Sequence, residues 1–210
     1  MQSLNLMLFI CLAAPLSMML FIFKGRSRAI LGFLITGIFL CLFAGEINGC
    51  ILNRTALSLH FITVNLTPIT EEILKALPIL FAAFFLKAPR QTLLEGSVAV
   101  GVGFATMENI CLLTGGGALT PLLIIARGFG AGMMHGVSTL AVGYFITPKS
   151  PDKKLKLTGT IGALAVAVIY HSIYNIIVQS SYPMLGILLP ILTYIPLIII
   201  LRLKQKRNTP

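Results

Sequence analysis

Charge is what this chain has least of. Only 10% of its 210 residues are charged and just six are acidic, where a soluble domain carries roughly 25% charged residues. That scarcity excludes a soluble nucleotide-binding domain, and an apolar content of 57% excludes a disordered chain. The four cysteines, Cys11, Cys41, Cys50 and Cys111, form no CxxC pair and no metal-ligand spacing. A secreted disulfide scaffold is therefore excluded, and the thiols read as small buried apolar side chains. Also missing are the HExxH of a zinc protease, the GxSxG of a serine hydrolase, and any Ser or Cys placed beside a basic partner. There is no internal repeat, low-complexity linker or second domain.

What is present is hydrocarbon, with a mean hydropathy of +0.95. A membrane span needs about 20 apolar residues. Seven runs qualify: 4–23, 29–50, 68–87, 93–113, 119–146, 158–179 and 183–201. The first has no basic n-region and exceeds a signal-peptide core, so it reads as a retained span. The stretch 53–66 is shorter and punctuated by polar residues, which predicts an interfacial or re-entrant piece. The fold class that follows is all-α: a polytopic bundle of about seven transmembrane helices, one membrane domain over 1–210.

The net charge of +10 points to topology rather than to nucleic acid. Lys24, Arg26 and Arg28 follow the first run, Lys87 and Arg90 the third, Lys149, Lys153, Lys154 and Lys156 the fifth, and Arg202, Lys204, Lys206 and Arg207 the last. The alternate connections hold only Arg54. This bias predicts an external N-terminus and a cytoplasmic C-terminus. Glu46 and His60 then fall near the outer interface, and Glu95 and Asp152 read as cytoplasmic loop charges.

Ionisable groups inside spans are expensive and persist only when paired or functional. Here four consecutive spans each donate some. The third carries Glu71, Glu72 and Lys75; the fourth Glu108 and Asn109; the fifth Arg127 and His135; the sixth His171 and Asn175. On the predicted topology all of them reach the outer half of the bilayer; Glu108, for example, lies roughly 22 Å along its helix at about 1.5 Å per residue. Glu71 and Lys75 are i,i+4 and predict a pair. Thr67-Pro68 predicts a helix start just before the acids, and Pro78 a kink just after them. Gly128, Gly132 and Gly136 form a stripe suited to close helix approach.

Carboxylates and imidazoles in a partly dry site suit hydrolysis by an activated water. Without a metal, one Glu activates water while His and Asn polarise the scissile carbonyl. With zinc, two His and one carboxylate make a normal ligand set, here Glu108, His135 and His171, and leave another Glu as base. A proton-coupled transporter is the alternative, since intramembrane Glu and His chains also mark proton relays.

The ordered motifs Glu71-Glu72-x-x-Lys75, Phe104-x-x-x-Glu108-Asn109, Arg127 with His135, and His171-x-x-x-Asn175 resemble the PrsW family of intramembrane proteases, within the wider group of CaaX prenyl endopeptidases and ABI/CPBP proteins. The likeness spans 67–175. The wider group usually has EExxxR and FxxxH; EExxK and FxxxE favour the PrsW branch. The resemblance implies a catalytic four-helix core over 67–179 with Glu71 as water-activating base and Glu72 as supporting acid. Glu108 and His135 would position the water or hold a metal, and His171 with Asn175 would form the oxyanion hole. Lys75, Arg127 and Asn109 would support them. It further implies a membrane-anchored protein substrate such as an anti-sigma factor, clipped on the outer side of a bacterial inner membrane. Zinc is optional on that reading, and no nucleic acid is involved.

Overall fold

The computed structural model describes residues 2–115, 120–146, 153–182 and 184–207, and every regular element among them is helical. The chain runs through α1 (Gln2–Ile22), α2 (Gly25–Arg54), the short α3 (Leu59–Phe61), α4 (Thr67–Phe84), α5 (Arg90–Thr114), the short α6 (Pro121–Ile125), α7 (Gly132–Ile146), α8 (Lys153–Val178) and α9 (Leu185–Arg207). Four stretches are long and apolar enough to cross a membrane: Gly25–Arg54, Arg90–Thr114, Arg127–Ile146 and Leu157–Val178. Leu6–Ile22 and Leu185–Pro196 are shorter apolar helices. Large apolar side chains face outward while a cluster of ionisable groups is buried within the apolar core. Phe21, Met18, Phe85, Tyr182 and Leu192 are exposed, while Glu72, Lys75, His135 and His171 are buried. Only a hydrocarbon solvent favours that inversion.

α5 is the axis of the bundle. It packs against α2 on one side and α7 on the other, and α7 packs on α8. α4 lies across this row, touching α2, α5, α7 and α8. Ile38, Ala44, Ile79, Val100, Phe104 and Met107 fill the apolar layer that holds α2, α4 and α5 together. α1 packs on α2, and α9 on α7 and α8.

Two π turns shape the rods that carry the polar residues. Ile62–Leu66 joins α3 to α4, and Ala126–Ala131 joins α6 to α7. This corrects the expectation for 53–66. It is no separate interfacial piece: α2 continues to Arg54, and a new rod begins at Leu59 and runs on into α4. Ser58 caps that rod, its Oγ accepting from Phe61 N at 3.1 Å. Thr67-Pro68 does open the α-helical stretch α4, with Pro68 in its first turn, but as the continuation of a rod begun at Leu59, so Glu71 and Glu72 do not lie at a free helix end. In the first π turn Thr67 N–H reaches back to Ile62 O. In that register the next carbonyl, Thr63 O, would look to residue 68, a proline with no N–H. Asn175 Nδ2 on α8 donates to it instead, at 3.0 Å. In the second turn Arg127 O accepts from Asn109 Nδ2 at 3.4 Å. Pro78 lies inside α4 without ending it.

Of the expected stripe only Gly136 stands at a close helix approach, its Cα facing Gly101. A Cβ at Gly128 or Gly132 would meet nothing within 4 Å, and one at Gly136 would make only ordinary contact with Val102 and Val98. The tight crossings are Gly37 on Val100 O and Gly103 on Leu34 O, between α2 and α5, and Gly101 on His135 O, between α5 and α7. In each, a methyl group would overlap partner backbone, which has no rotamer to yield.

The other expectations divide. Glu95 is no loop charge: it stands on α5 and pairs with Arg26. Lys149 and Asp152 lie outside the described residues. His60 is exposed and meets Gln179 Oε1 at 3.2 Å. All four thiols are free, but only Cys41 is buried, Cys111 is half-buried, and Cys11 and Cys50 face outward. An apolar run suits lipid as well as a protein core, so the burial expected of all four thiols holds for Cys41 alone.

Two outcomes follow. Gly103→Ala is expected to destabilise the bundle by about 1–3 kcal/mol, and Gly132→Ala to change it by no more than about 0.5 kcal/mol; unfolding in detergent micelles measures both, and equal effects would remove the close approach as a determinant. Asn175→Leu keeps the branching of the side chain but strands the Thr63 carbonyl, at a cost of about 1–3 kcal/mol. Unaltered unfolding of that variant would show the carbonyl to be satisfied otherwise.

Candidate active site

Helical spacing puts the polar residues on facing surfaces. On α4, Glu71, Glu72 and Lys75 turn towards α7 and α8; on α5, Phe104 and Glu108 are one turn apart; on α7, His135 and Ser138 are; on α8, His171 and Asn175 are. Because neighbouring helices alternate in direction, Glu71 near the start of α4 meets Glu108 and His171 near the ends of α5 and α8.

Glu72 is the hub. Its Oε1 accepts from Lys75 Nζ at 2.6 Å, from His171 Nδ1 at 2.9 Å and from Ser138 Oγ at 3.3 Å. Lys75 thus pairs with Glu72 at i,i+3, not with Glu71 as the i,i+4 spacing predicts. The reason is its second partner: Nζ also lies 2.6 Å from His135 Nδ1 on α7, and only Glu72 faces the same way. Phe104 lies beneath the ammonium, its ring centroid 5.0 Å from Nζ.

His135 links that half of the site to the other. Its Nε2 lies 3.1 Å from Glu108 Oε2, and Glu108 Oε1 accepts from Arg127 Nη2 at 2.9 Å. The His135 ring tilts against Phe104 at 5.2 Å and meets the His171 ring edge-on at 4.7 Å. Arg127 is the counter-charge of Glu108, and Asn109, beside Glu108, holds the second π turn.

Glu71 stands apart. It is buried, its Oε2 makes no hydrogen bond, and its nearest ionic neighbour is His171 Nε2 at 3.8 Å. The eight sequence-predicted residues other than Asn175 thus join one continuous cluster. Asn175 lies one turn beyond His171 and donates to Thr63 O, which leaves its second N–H uncommitted by any described bond. Sequence reasoning missed Ser138 as a member of the cluster. A hydroxyl one helical turn after an intramembrane His, in an otherwise apolar run, was the available signal.

The donor set suits a metal. Glu71, His135 and His171 offer ligand atoms that all lie within 4.8 Å of one another. Glu108, expected among the ligands, has its two oxygens engaged by Arg127 and His135. The orphaned Glu71 Oε2 and the free Nε2 of His171 fit a cation best, with Glu72 behind His171 Nδ1 as the carboxylate that orients a ligating imidazole.

No curated protein and no solved structure matches the chain. The family model described as PrsW family intramembrane metalloprotease matches residues 25–201, which takes in all of α4 to α8 and every residue of the cluster. An integral membrane helix bundle with this buried Glu/His core, matched over most of its length, belongs to the PrsW family of intramembrane metalloproteases and is a membrane peptidase.

Proposed function

We propose that the enzyme cleaves a membrane-anchored protein with Glu71 as the base that activates water. The inequality of the two adjacent acids carries this reading. Glu72 Oε2 is as bare as Glu71 Oε2, but Glu72 takes three donors on Oε1, whereas Glu71 accepts no described hydrogen bond and its Oε2 faces an imidazole nitrogen. A carboxylate oxygen with an unused lone pair beside a histidine is what proton abstraction from water requires. Glu72 plays the supporting part: by accepting from His171 Nδ1 it leaves the Nε2 lone pair pointing towards Glu71. That lone pair suits holding the second hydrogen of the water, or a metal, better than donating to an oxyanion. The uncommitted N–H of Asn175 supplies the donor side for the tetrahedral intermediate. Glu71 then returns its proton to the leaving amine. A metal, were one held by Glu71 and His171, would supply Lewis acidity and a more readily ionised water, and the base would then be a carboxylate other than Glu71.

The distribution of basic residues supports a site in the outer half of a bacterial cell membrane. A single-span regulator of the anti-sigma type, clipped on its external side, is the substrate class that suits this depth. Family membership favours hydrolysis over the proton-coupled carrier.

The test is cleavage of a single-span substrate in liposomes. Glu71→Gln, which preserves shape, is expected to lower the rate by at least about 10²-fold with the fold intact. Glu72→Gln is expected to lose stability as well, since it disrupts a buried pair whose loss costs about 3–5 kcal/mol. Undiminished cleavage by Glu71→Gln would remove Glu71 from the role of base. Proton flux in a pH-jump assay that depended on Glu108 would restore the carrier.

A further inference from the structure

We infer that Lys75 is a positioning residue that fixes the tautomer of His135, making that histidine a hydrogen-bond donor to Glu108 and withholding it from the metal ligand set. The inference concerns the same site as the hydrolase reading and refines its ligand set.

An ammonium is able only to donate. It has three N–H donors and no lone pair, whereas a neutral imidazole has one donor and one acceptor nitrogen. Lys75 Nζ is fully buried and lies 2.6 Å from His135 Nδ1. At that distance it donates, so Nδ1 is the acceptor. A proton on Nδ1 would point straight at the ammonium. The ring proton therefore sits on Nε2, where Glu108 Oε2 accepts it at 3.1 Å. Both nitrogens are then spent: Nδ1 on Lys75, and Nε2 on its own proton.

His171 has the opposite arrangement. Its Nδ1 faces the Glu72 carboxylate at 2.9 Å, which keeps the proton there and leaves Nε2 with a lone pair 3.8 Å from Glu71 Oε2. The two imidazoles meet edge to face at 4.7 Å, yet only one presents a ligand atom. A carboxylate behind Nδ1 makes a metal ligand; an ammonium behind Nδ1 unmakes one. Although Glu71, His135 and His171 converge, Lys75 holds the resting set to Glu71 and His171. His135 joins only if Lys75 gives up Nδ1.

The chain has three histidines, so its imidazole nitrogen spectrum is readable. The full-length protein is labelled with 15N-histidine in nanodiscs, and His60→Gln and His171→Gln variants assign the lines. In the wild type His135 is expected as the Nε2–H tautomer and His171 as Nδ1–H. Lys75→Gln replaces the obligate donor with an amide whose oxygen accepts from Nδ1–H. This variant is expected to move His135 towards Nδ1–H and to bind Zn²⁺ at least about tenfold more tightly, measured against a chromogenic chelator. Lys75→Arg, which retains only donors, is expected to keep the wild-type tautomer and affinity. A wild-type His135 in the Nδ1–H form overturns the inference, and that measurement needs no variant to fold. A folded Lys75→Gln chain with unchanged or weaker Zn²⁺ binding also overturns it. Neither readout involves peptide cleavage, so a failure of Glu71 as base would leave this result standing, and the reverse.

Discussion

One carboxylate oxygen organises the interior. Glu72 Oε1 gathers an ammonium from its own helix, a hydroxyl from α7 and an imidazole from α8. Three helices are pinned at a point where water is scarce and each donor has few alternative partners. In such surroundings, removal of one member leaves the rest uncompensated, so the contact is strong through the penalty for breaking it more than through its net gain. The rest of the site is built outward from that point. Lys75 passes the connection to His135, His135 to Glu108, and Glu108 to Arg127. Glu71 is left beside the network rather than inside it, as a reactive group must be.

Most of the helices and most of the cluster were legible in the sequence; Ser138, the place of Asn175 and the pairing were not. Apolar runs report spans because hydrocarbon demands length, and intramembrane charges report a site because hydrocarbon penalises them. Spacing alone does not say which of two neighbouring acids a lysine takes. Glu71 at i,i+4 and Glu72 at i,i+3 are both within reach, and His135, which lies far along the chain, decides. The π turns were equally hidden. Each adds a residue to a turn and so rotates everything after it by about 100°, and no apolar periodicity marks where it happens. The proline at 68 read as the start of a helix because its missing N–H suits one; the fold uses the same absence to free Thr63 O for Asn175. Glycines followed the same pattern. The GxxxG stripe was visible, but only its Gly136 stands at a tight crossing, opposite Gly101, while Gly37 and Gly103 make the others, because packing depends on what stands opposite.

Placement of the acids and histidines on four different helices has a mechanical side. Their relative positions depend on how closely α5 approaches α2 and α7, and those approaches are set at Gly103 and Gly101, the latter directly against the His135 carbonyl. Site geometry and bundle packing are therefore one problem in this protein. A residue far from any proton transfer can shift His135 simply by adding a methyl group between backbones.

The isolation of Glu71 has an electrostatic side. Of the three acids, Glu72 pairs with Lys75 and Glu108 with Arg127, and only Glu71 has neither a lysine nor an arginine beside it. A proton or a metal ion is therefore drawn to Glu71, the same carboxylate that faces the second histidine.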